Sequence, residues 1–361
     1  MTAAQDAFYM ARAIQLAKRG RYNTAPNPNV GCVIVKNGEI IAEGWHKKAG
    51  QGHAEVEALK QLTNAKGATA YVTLEPCSHY GKTPPCCDAL IRAGISRVVA
   101  AMTDSNPLVA GQGLHRLQAA GIEVLCGVLA DDAYALNRGF IKRMTEARPF
   151  VRSKLAMSLD GRTAMASGES QWITSAESRA DVQLLRAESS AILTGIGTVL
   201  ADDPSLTARV DFEVQQPLRV ILDSKLQTPV SAKMATLAGR SIILTCSNDT
   251  DKQQRLQQAG FEVYVLPAQN AQLDLHEVMR FLARDLQVND LLVEAGAILN
   301  GALLMQGLID ETIIYMASCV LGDQGRGLFH LPEMHKMADK KILKLRDVRQ
   351  LGVDLKLTLQ N

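Results

Sequence analysis

The chain has 361 residues, 47% of them hydrophobic and 21% charged, with a formal net charge of +2. That length exceeds what one core usually serves, so two domains are expected, and the balance of apolar and charged residues excludes a disordered or fibrous chain. Near-neutral charge without a run of one sign gives no general attraction to nucleic acid or anionic membranes, which leaves a small molecule as the expected partner.

The first stretch, MTAAQDAFYMARAIQ, has no basic region leading into an apolar run. No segment approaches the roughly 18 apolar residues of a membrane span, so a cytoplasmic location is expected. Met10, Ile14 and Ala17 predict a helix over residues 6 to 18, and VGCVIVK, the Asn37-Gly38 turn and IIAEGWH predict a β-hairpin. A helix from about His53, the strand ATAYVTL, a loop rich in Gly and Pro, a helix near 87 to 93, the strand RVVAAM and a helix from Asp131 follow. The segment MTEARPFV sets the boundary near Arg148, giving domains 1–147 and 148–361. Beyond it FVRSKLAM, SAILT, LRVILD, SIILT, FEVYVL, DLLVEA and TIIYMA predict strands, separated by helical patterns such as SAESRADVQLLRAE. A largely parallel sheet flanked by helices is implied, with a last strand within LGVDLKLTLQ.

The seven cysteines form no secreted disulfide framework. Cys32, Cys126, Cys246 and Cys319 have apolar neighbours and are expected in the core. His53-Ala54-Glu55, Pro76-Cys77 and Pro85-Cys86 are different: one imidazole and two thiolates suit a catalytic zinc, which keeps a fourth position for water. Zinc lowers the pKa of such a water, and a carboxylate that is not a ligand can take its proton and pass it to a leaving amine. Glu55, at a helix start, is the candidate for that shuttle. The order follows the His-x-Glu and Pro-Cys-x-x-Cys pattern of base deaminases, except that eight residues separate Cys77 from Cys86. The lengthened loop SHYGKTPP supplies groups that could shape a substrate pocket.

Several alternatives stay open. Cys87 is an alternative third ligand, with Cys86 preferred because paired prolines fix the backbone just ahead of it. Asn27, between two prolines, carries an amide suited to a ring edge or simply to a turn. His46 and His79 are weaker candidates, readable as surface histidines. A structural zinc site without catalysis, or a helix-capping His53 beside buried cysteines, would explain the same residue types; their joint order and Glu55 argue against both.

The blocks PNPNVGCVIV, HAEVEAL and TLEPCSHYGKTPPC resemble the deaminase half of the bifunctional riboflavin biosynthesis deaminase/reductase family. The resemblance implies a cytidine-deaminase-like N-terminal fold and a diaminohydroxypyrimidine substrate bearing a phosphoribosylamino group, whose 2-amino group water replaces. It gives His53, Cys77 and Cys86 the Zn2+ and Glu55 the proton.

The second half has no G-x-G-x-x-G after a strand. Gly195 and Gly197, and then Gly296 and Gly301, offer backbone to a phosphate, with plain turns and helix capping as competing explanations. Taken in order, KLAMSLDGR, SGESQWIT, GIGTVLADDPSLTAR, LRVILDS and VEAGAILNGALL resemble the reductase half of the same family. This resemblance implies a dihydrofolate-reductase-like C-terminal fold in which NADPH reduces the ribosyl group to a ribityl chain. It puts Ala156, Trp172, Thr198, Asp202, Ser224 and the run Gly296, Ala297, Ile298, Leu299, Asn300, Gly301 and Ala302 beside the cofactor. Ser170, Arg186, Leu206, Arg209 and Glu294 would face the phosphorylated pyrimidine. Arg186 and Arg209 are suited to fork a phosphate. Lys154 and Asp202 are plausible near the sugar without an assigned role, and Trp172, by composition alone, is a core residue. A homo-oligomer, taken as a dimer, is the general expectation for a soluble enzyme. The competing reading is a nucleoside or tRNA deaminase with a non-catalytic C-terminal binding module.

Overall fold

Short apolar runs, GCVIVK, TAYV and RVVA, become the central strands of the first of two units. In the computed structural model, which describes residues 1–79, 84–107 and 110–361, the chain divides into Met1–Arg148 and Pro149–Asn361. The first unit runs α1 (Ala3–Ala17), β1 (Gly31–Lys36), β2 (Glu39–Trp45), α2 (Ala54–Leu59), β3 (Thr69–Val72), α3 (Cys86–Arg92), β4 (Arg97–Ala100), α4 (Gln112–Ala119), β5 (Glu123–Cys126), α5 (Ala130–Leu136) and α6 (Arg138–Glu146). Thr2 and Gln5 close a capping box at the start of α1. Asn37 and Gly38 both take positive φ, the backbone that a two-residue hairpin requires.

The sheet order is β2-β1-β3-β4-β5, antiparallel around β1 and parallel from β3 onward. Alternation along β1 sorts its two faces. Cys32 and Ile34 pack with Ala58, Leu90 and Leu117 from α2, α3 and α4, while Val33 and Val35 pack with Met10, Ile14 and Leu16 of α1. Two glycines set how closely the helices approach. A Cβ on Gly31 would lie 2.0 Å from the Ala13 carbonyl oxygen, and one on Gly44 would lie 2.3 Å from that of Ala54. Gly44 therefore fixes the start of α2, where His53 and Glu55 stand.

The second unit runs β6 (Phe150–Ser158), β7 (Arg162–Ala164), α7 (Ala176–Ala187), β8 (Ala191–Gly195), α8 (Ile196–Asp202), β9 (Leu218–Leu222), β10 (Ser241–Thr245), α9 (Thr250–Gln258) and β11 (Glu262–Val265). It continues through β12 (Ala268–Gln269), β13 (Gln272–Leu273), α10 (Leu275–Arg284), β14 (Asp290–Val293), α11 (Ala297–Met305), β15 (Glu311–Ala317), β16 (Arg326–Gly327), β17 (Lys344–Leu351) and β18 (Asp354–Gln360). Nine strands form one sheet in the order β11-β10-β9-β8-β14-β6-β15-β18-β17, and only the last two pairings are antiparallel. Its two faces carry separate apolar layers, one with Val151, Leu193, Val220 and Leu291, the other with Ile192, Ile221, Ile243 and Leu292.

Three cysteines depart from the core expectation. Cys126 is exposed, and Cys246 and Cys319 are only partly covered. Cys126 ends the edge strand β5, and the other two lie just past the ends of β10 and β15, where the packed layers stop. Only Cys32 of the four is buried. Trp172 also departs from the core reading: it is 71% exposed, with the Arg179 guanidinium 4.8 Å from its ring centroid.

One buried polar knot ties α1 to the sheet. Asp6 accepts from Arg97 Nη1 at 2.7 Å and Nη2 at 3.0 Å, and from the Tyr71 hydroxyl at 2.7 Å. The Arg97 hydrogen bonds, outweighing the opposite effect of burial, hold the Asp6 carboxyl below its ordinary value of 3.8. A depressed folded-state pKa stabilises fully above the unfolded value and is lost as pH falls through the folded one. Asp6→Asn is therefore expected to lower the unfolding free energy at pH 7 by about 3 kcal/mol, leaving Arg97 underpaired, and to weaken the loss of stability on acidification below 3.8. Denaturant unfolding at pH 7 and pH 3 checks this, and unchanged stability at pH 7 would show the knot to be inert.

Candidate active sites

His53 is the N-cap of α2, Cys77 follows β3 after Pro76, and Cys86 opens α3. The structure brings one donor atom from each within 4.8 Å of the others. Both sulfurs face the same imidazole nitrogen: Cys77 Sγ is 3.6 Å and Cys86 Sγ 3.3 Å from His53 Nδ1. A tetrahedral zinc, with Zn–N of 2.0–2.1 Å and Zn–S near 2.3 Å, requires such N···S edges to be about 3.5 Å. The donor set therefore fits Zn2+ in chemistry and in size. The thiols are already unequal. The Cys86 hydrogen bond, then His53, draws the Cys77 pKa down against burial. Cys86 is pushed up by its bond to Cys77 and by burial, since a second charge beside the first thiolate is disfavoured.

Glu55 stands in the first turn of α2, 3% exposed, close to Cys86 and His53. Burial raises its pKa from 4.5 to about 7, against the opposing pull of His53. Cys87 turns away from this cluster. Its Sγ meets the carbonyl oxygens of Pro76 at 3.1 Å and Gly113 at 3.4 Å, and burial pushes its pKa up to about 12. His46 is buried and held below its ordinary pKa chiefly by desolvation. His46 joins Asn27 at 3.1 Å, whereas His79 is exposed. Residues 80–83 of the SHYGKTPP loop lie outside the described residues.

Glu75 was not singled out by the sequence. It is 3% exposed and accepts the main-chain N–H groups of Asp104, Gly111, Gly113 and Leu114 at 2.7 to 3.3 Å. A Cβ on Gly113 would lie 2.0 Å from the Pro76 carbonyl oxygen, so the start of α4 is sealed against the residue that precedes Cys77. The available signal was an acid immediately before a Pro-Cys pair. Its four partners are 29 to 39 residues away, beyond the reach of any local pattern.

In the second unit, Ser224, Glu294 and Gly296 follow the carboxyl ends of the parallel strands β9 and β14, and Ala156 lies late in β6. Ligands of open α/β sheets gather at that edge. Thr198 and Asp202 lie on α8, which follows β8 there; Gly195 lies 3.6 Å, measured from a built Cβ, from Leu299 at the start of α11. Among the described residues no side chain caps the first turn of α11, and Gly296 is its extended N-cap. Gly296 and Ile298 are exposed, while Ala297, Leu299 and Ala302 are partly covered. Asn300 and Gly301 turn inward. The Asn300 amide donates to the carbonyls of Ala295 and Gly296 and accepts from the Ser153 hydroxyl, and a Cβ on Gly301 would meet the His330 carbonyl at 2.0 Å.

Arg186 spends its fork on Glu294, Nε to Oε1 at 2.6 Å and Nη2 to Oε2 at 2.9 Å, and donates a third bond to the Thr207 carbonyl. That edge is thus engaged by a carboxylate. Burial pushes the Glu294 pKa up, but Arg186 and Lys154 outweigh it and the net shift is down. Burial lowers Lys154, which Glu294 partly offsets. Arg209 is exposed with its side chain unpaired among the described residues. Leu206 is buried in the core with a left-handed backbone, φ +46°. Ser170 is half-buried in the segment after β7.

Residues 149–357 match the family described as the RibD C-terminal domain, and residues 3–102 match the cytidine and deoxycytidylate deaminase zinc-binding region. The riboflavin biosynthesis protein RibD of Escherichia coli strain K12 is 51% identical over 368 residues, covering 98% of this chain and 99% of that protein. The Haemophilus influenzae protein of the same name is 51% identical over 371 residues, covering 98% and 97%. The solved structure of Acinetobacter baumannii RibD, form 1, aligns with a TM-score of 0.94 at 48% identity over 99% of both chains. That of a diaminohydroxyphosphoribosylaminopyrimidine deaminase/5-amino-6-(5-phosphoribosylamino)uracil reductase from Thermotoga maritima aligns at 0.87 with 35% identity, again over 99% of both. The first fold is cytidine-deaminase-like and the second dihydrofolate-reductase-like, with Zn2+ and NADPH as the respective cofactors. With relatives of this identity spanning nearly its whole length, the chain belongs to the RibD family of bifunctional deaminase/reductase enzymes of riboflavin biosynthesis.

Proposed function

We propose that the first unit deaminates the phosphoribosylamino diaminopyrimidine with His53, Cys77 and Cys86 as its zinc ligands and Glu55 as its proton carrier. The observation that carries this reading is the convergence of two sulfurs on one imidazole nitrogen with a buried carboxylate alongside. Zinc, when bound, supplies the Lewis acidity that brings a water's pKa toward neutrality. Glu55 passes one proton of the attacking water to the ring nitrogen beside the attacked carbon and the other to the departing amine, so that C(=N)–NH2 becomes C(=O)–NH, ammonia leaves and Glu55 is regenerated. A carboxyl whose pKa burial has raised to about 7 accepts and releases a proton with little penalty near neutral pH. Asn27 offers its amide to the ring edge.

The second unit then reduces the ribosyl group of the deaminated product to ribityl. NADPH supplies the hydride. On this reading Ala156, Trp172, Thr198, Asp202, Ser224 and the Gly296–Ala302 segment serve the cofactor, the inward-facing Asn300 and Gly301 by shaping the turn. Glu294, held between Arg186 and Lys154, faces the sugar together with Ser170 and the Leu206 backbone. One carboxylate between two cations leaves a local positive charge, suited to an anionic substrate. Arg209, unpaired at the surface, is placed on the phosphate, where a free guanidinium can bind in a fork. The cytoplasm is the proposed location; among the described residues no helix is long and apolar enough to cross a membrane. A homodimer is proposed as well, supported by the open edge of β17, where Leu345 and Val348 are 55% and 49% exposed. The reading of an RNA or nucleoside deaminase with an inert second half is not favoured by full-length relatives of 51% identity.

Glu55→Gln is expected to cut ammonia release by about a hundredfold or more while NADPH oxidation on the deaminated intermediate continues. A folded, zinc-bound variant that loses both activities would sink the assignment of separate sites. Stripping zinc with a chelator is expected to abolish ammonia release and spare the reduction, with recovery on adding Zn2+ back; deamination that survives verified metal loss would count against the triad. Arg209→Ala is expected to raise KM for the phosphorylated reductase substrate roughly tenfold with kcat little changed, and an unaltered KM would remove Arg209 from the phosphate.

A further inference from the structure

Asn27 and His46 are coupled in a way that fixes the orientation of both. His46 Nδ1 lies 3.1 Å from the Gly52 carbonyl oxygen. A carbonyl only accepts, so Nδ1 carries the ring proton. In the neutral ring Nε2 then offers a lone pair, and its partner must donate: this is the Asn27 Nδ2 amide, at 3.1 Å. The free end of the amide is therefore Oδ1, which has no hydrogen-bond partner among the described residues. An amide has two ends of nearly equal size, and here the Gly52 carbonyl chooses between them by way of the imidazole. The same ring packs edge-on against His53, with centroids 5.5 Å apart and planes at 81°, and Gly52 is the residue directly before that ligand. The backbone of His46 is also boxed in, since a Cβ on Gly20 would fall 2.5 Å from its carbonyl oxygen.

We propose that His46 is a positioning residue of the deamination site, a clamp whose single tautomer turns the acceptor end of the Asn27 amide toward the pyrimidine and so selects a ring edge that presents an N–H donor. The proposal rests on the reading of the first unit as a pyrimidine deaminase in which Asn27 meets the ring. An amide turned the other way would present only donors. A site whose polar group is left facing a like partner discriminates far more strongly than one built from shape alone.

The test is steady-state ammonia release by the zinc-loaded full-length enzyme, with zinc content and thermal stability measured for each variant. His46→Leu removes both ring contacts and is expected to raise KM for the diaminopyrimidine roughly tenfold, with zinc content unchanged. His46→Gln can donate to Gly52 and accept from Asn27 through the two ends of its own amide, and is expected to bring KM back to within about threefold of wild type. Asn27→Ala reproduces the KM rise, and the H46L/N27A double variant is no worse than either single one, because both act on one contact. Full additivity in the double variant, or zinc loss in H46L with normal KM in the metal-loaded fraction, overturns the proposal and assigns His46 to His53 or to the fold. If H46L does not fold, H46Q is compared with His46→Asn, which is too short to span both partners; equal KM values overturn the clamp. A wild-type KM in N27A overturns it through Asn27 alone, whereas the deaminase reading is lost only if wild-type enzyme releases no ammonia.

Discussion

Two sulfur atoms crowded onto one imidazole nitrogen, at 3.6 and 3.3 Å, are the constraint on which the first unit depends. The three donors converge because the elements behind them are fixed. Gly44 brings the start of α2 against β2, and Glu75, with its four main-chain donors, locks the beginning of α4 behind Pro76. Cys86 and Cys87 show how fine that control is. They are adjacent on α3, yet the helix points one at His53 and the other at the Pro76 and Gly113 carbonyls. About 100° of rotation between successive helical residues separates the proposed metal donor from a core thiol.

The second unit meets a different problem, since its polar groups gather where a parallel sheet leaves the carboxyl ends of its strands open. β8 and β14 are neighbours in the sheet although β9 to β13 intervene in the chain, so their following turns, with Gly195 and Gly296, come side by side. Asn300 holds two carbonyls of the second turn inward. Carbonyls so engaged are turned away from the N–H groups of the first turn of α11, which no side chain among the described residues caps.

Much of this was legible in the sequence, and the gaps have physical causes. The strands of both central sheets announce themselves as short apolar runs, because strands buried on both faces need no polar alternation. The hairpin at Asn37-Gly38 and α7 behind SAESRADVQ were equally plain. β17 was not: KLRDVRQL is polar and almost wholly exposed, and it is a strand only because β18 pairs with it. β5 ends a sheet and leaves Cys126 in the open for the same reason. His53, Cys77 and Cys86 could be picked out because metal chemistry restricts both residue type and order. The Arg186–Glu294 fork could not, since 108 residues separate its partners and either alone resembles an ordinary surface charge. The same limit hid Glu75 and the bond between Asn27 and His46.

Three glutamates, two buried and one partly covered, show how environment, and not residue type, would assign the proposed roles. Glu55 is shut away from water with little cationic compensation, so burial governs and its pKa rises to about 7, where a proton can move either way. Glu294 keeps 11% of its side chain exposed, and there Arg186 and Lys154 outweigh burial and hold its pKa below the ordinary value. Four N–H groups converge on Glu75, so it acts as the anchor of a chain segment. Interchanging these surroundings would exchange the roles while the sequence at each position remained a glutamate. A shuttle must be poorly compensated, an electrostatic partner must be over-compensated, and a structural anchor must be compensated by groups that do not titrate. On the proposed reading, the fold supplies one of each.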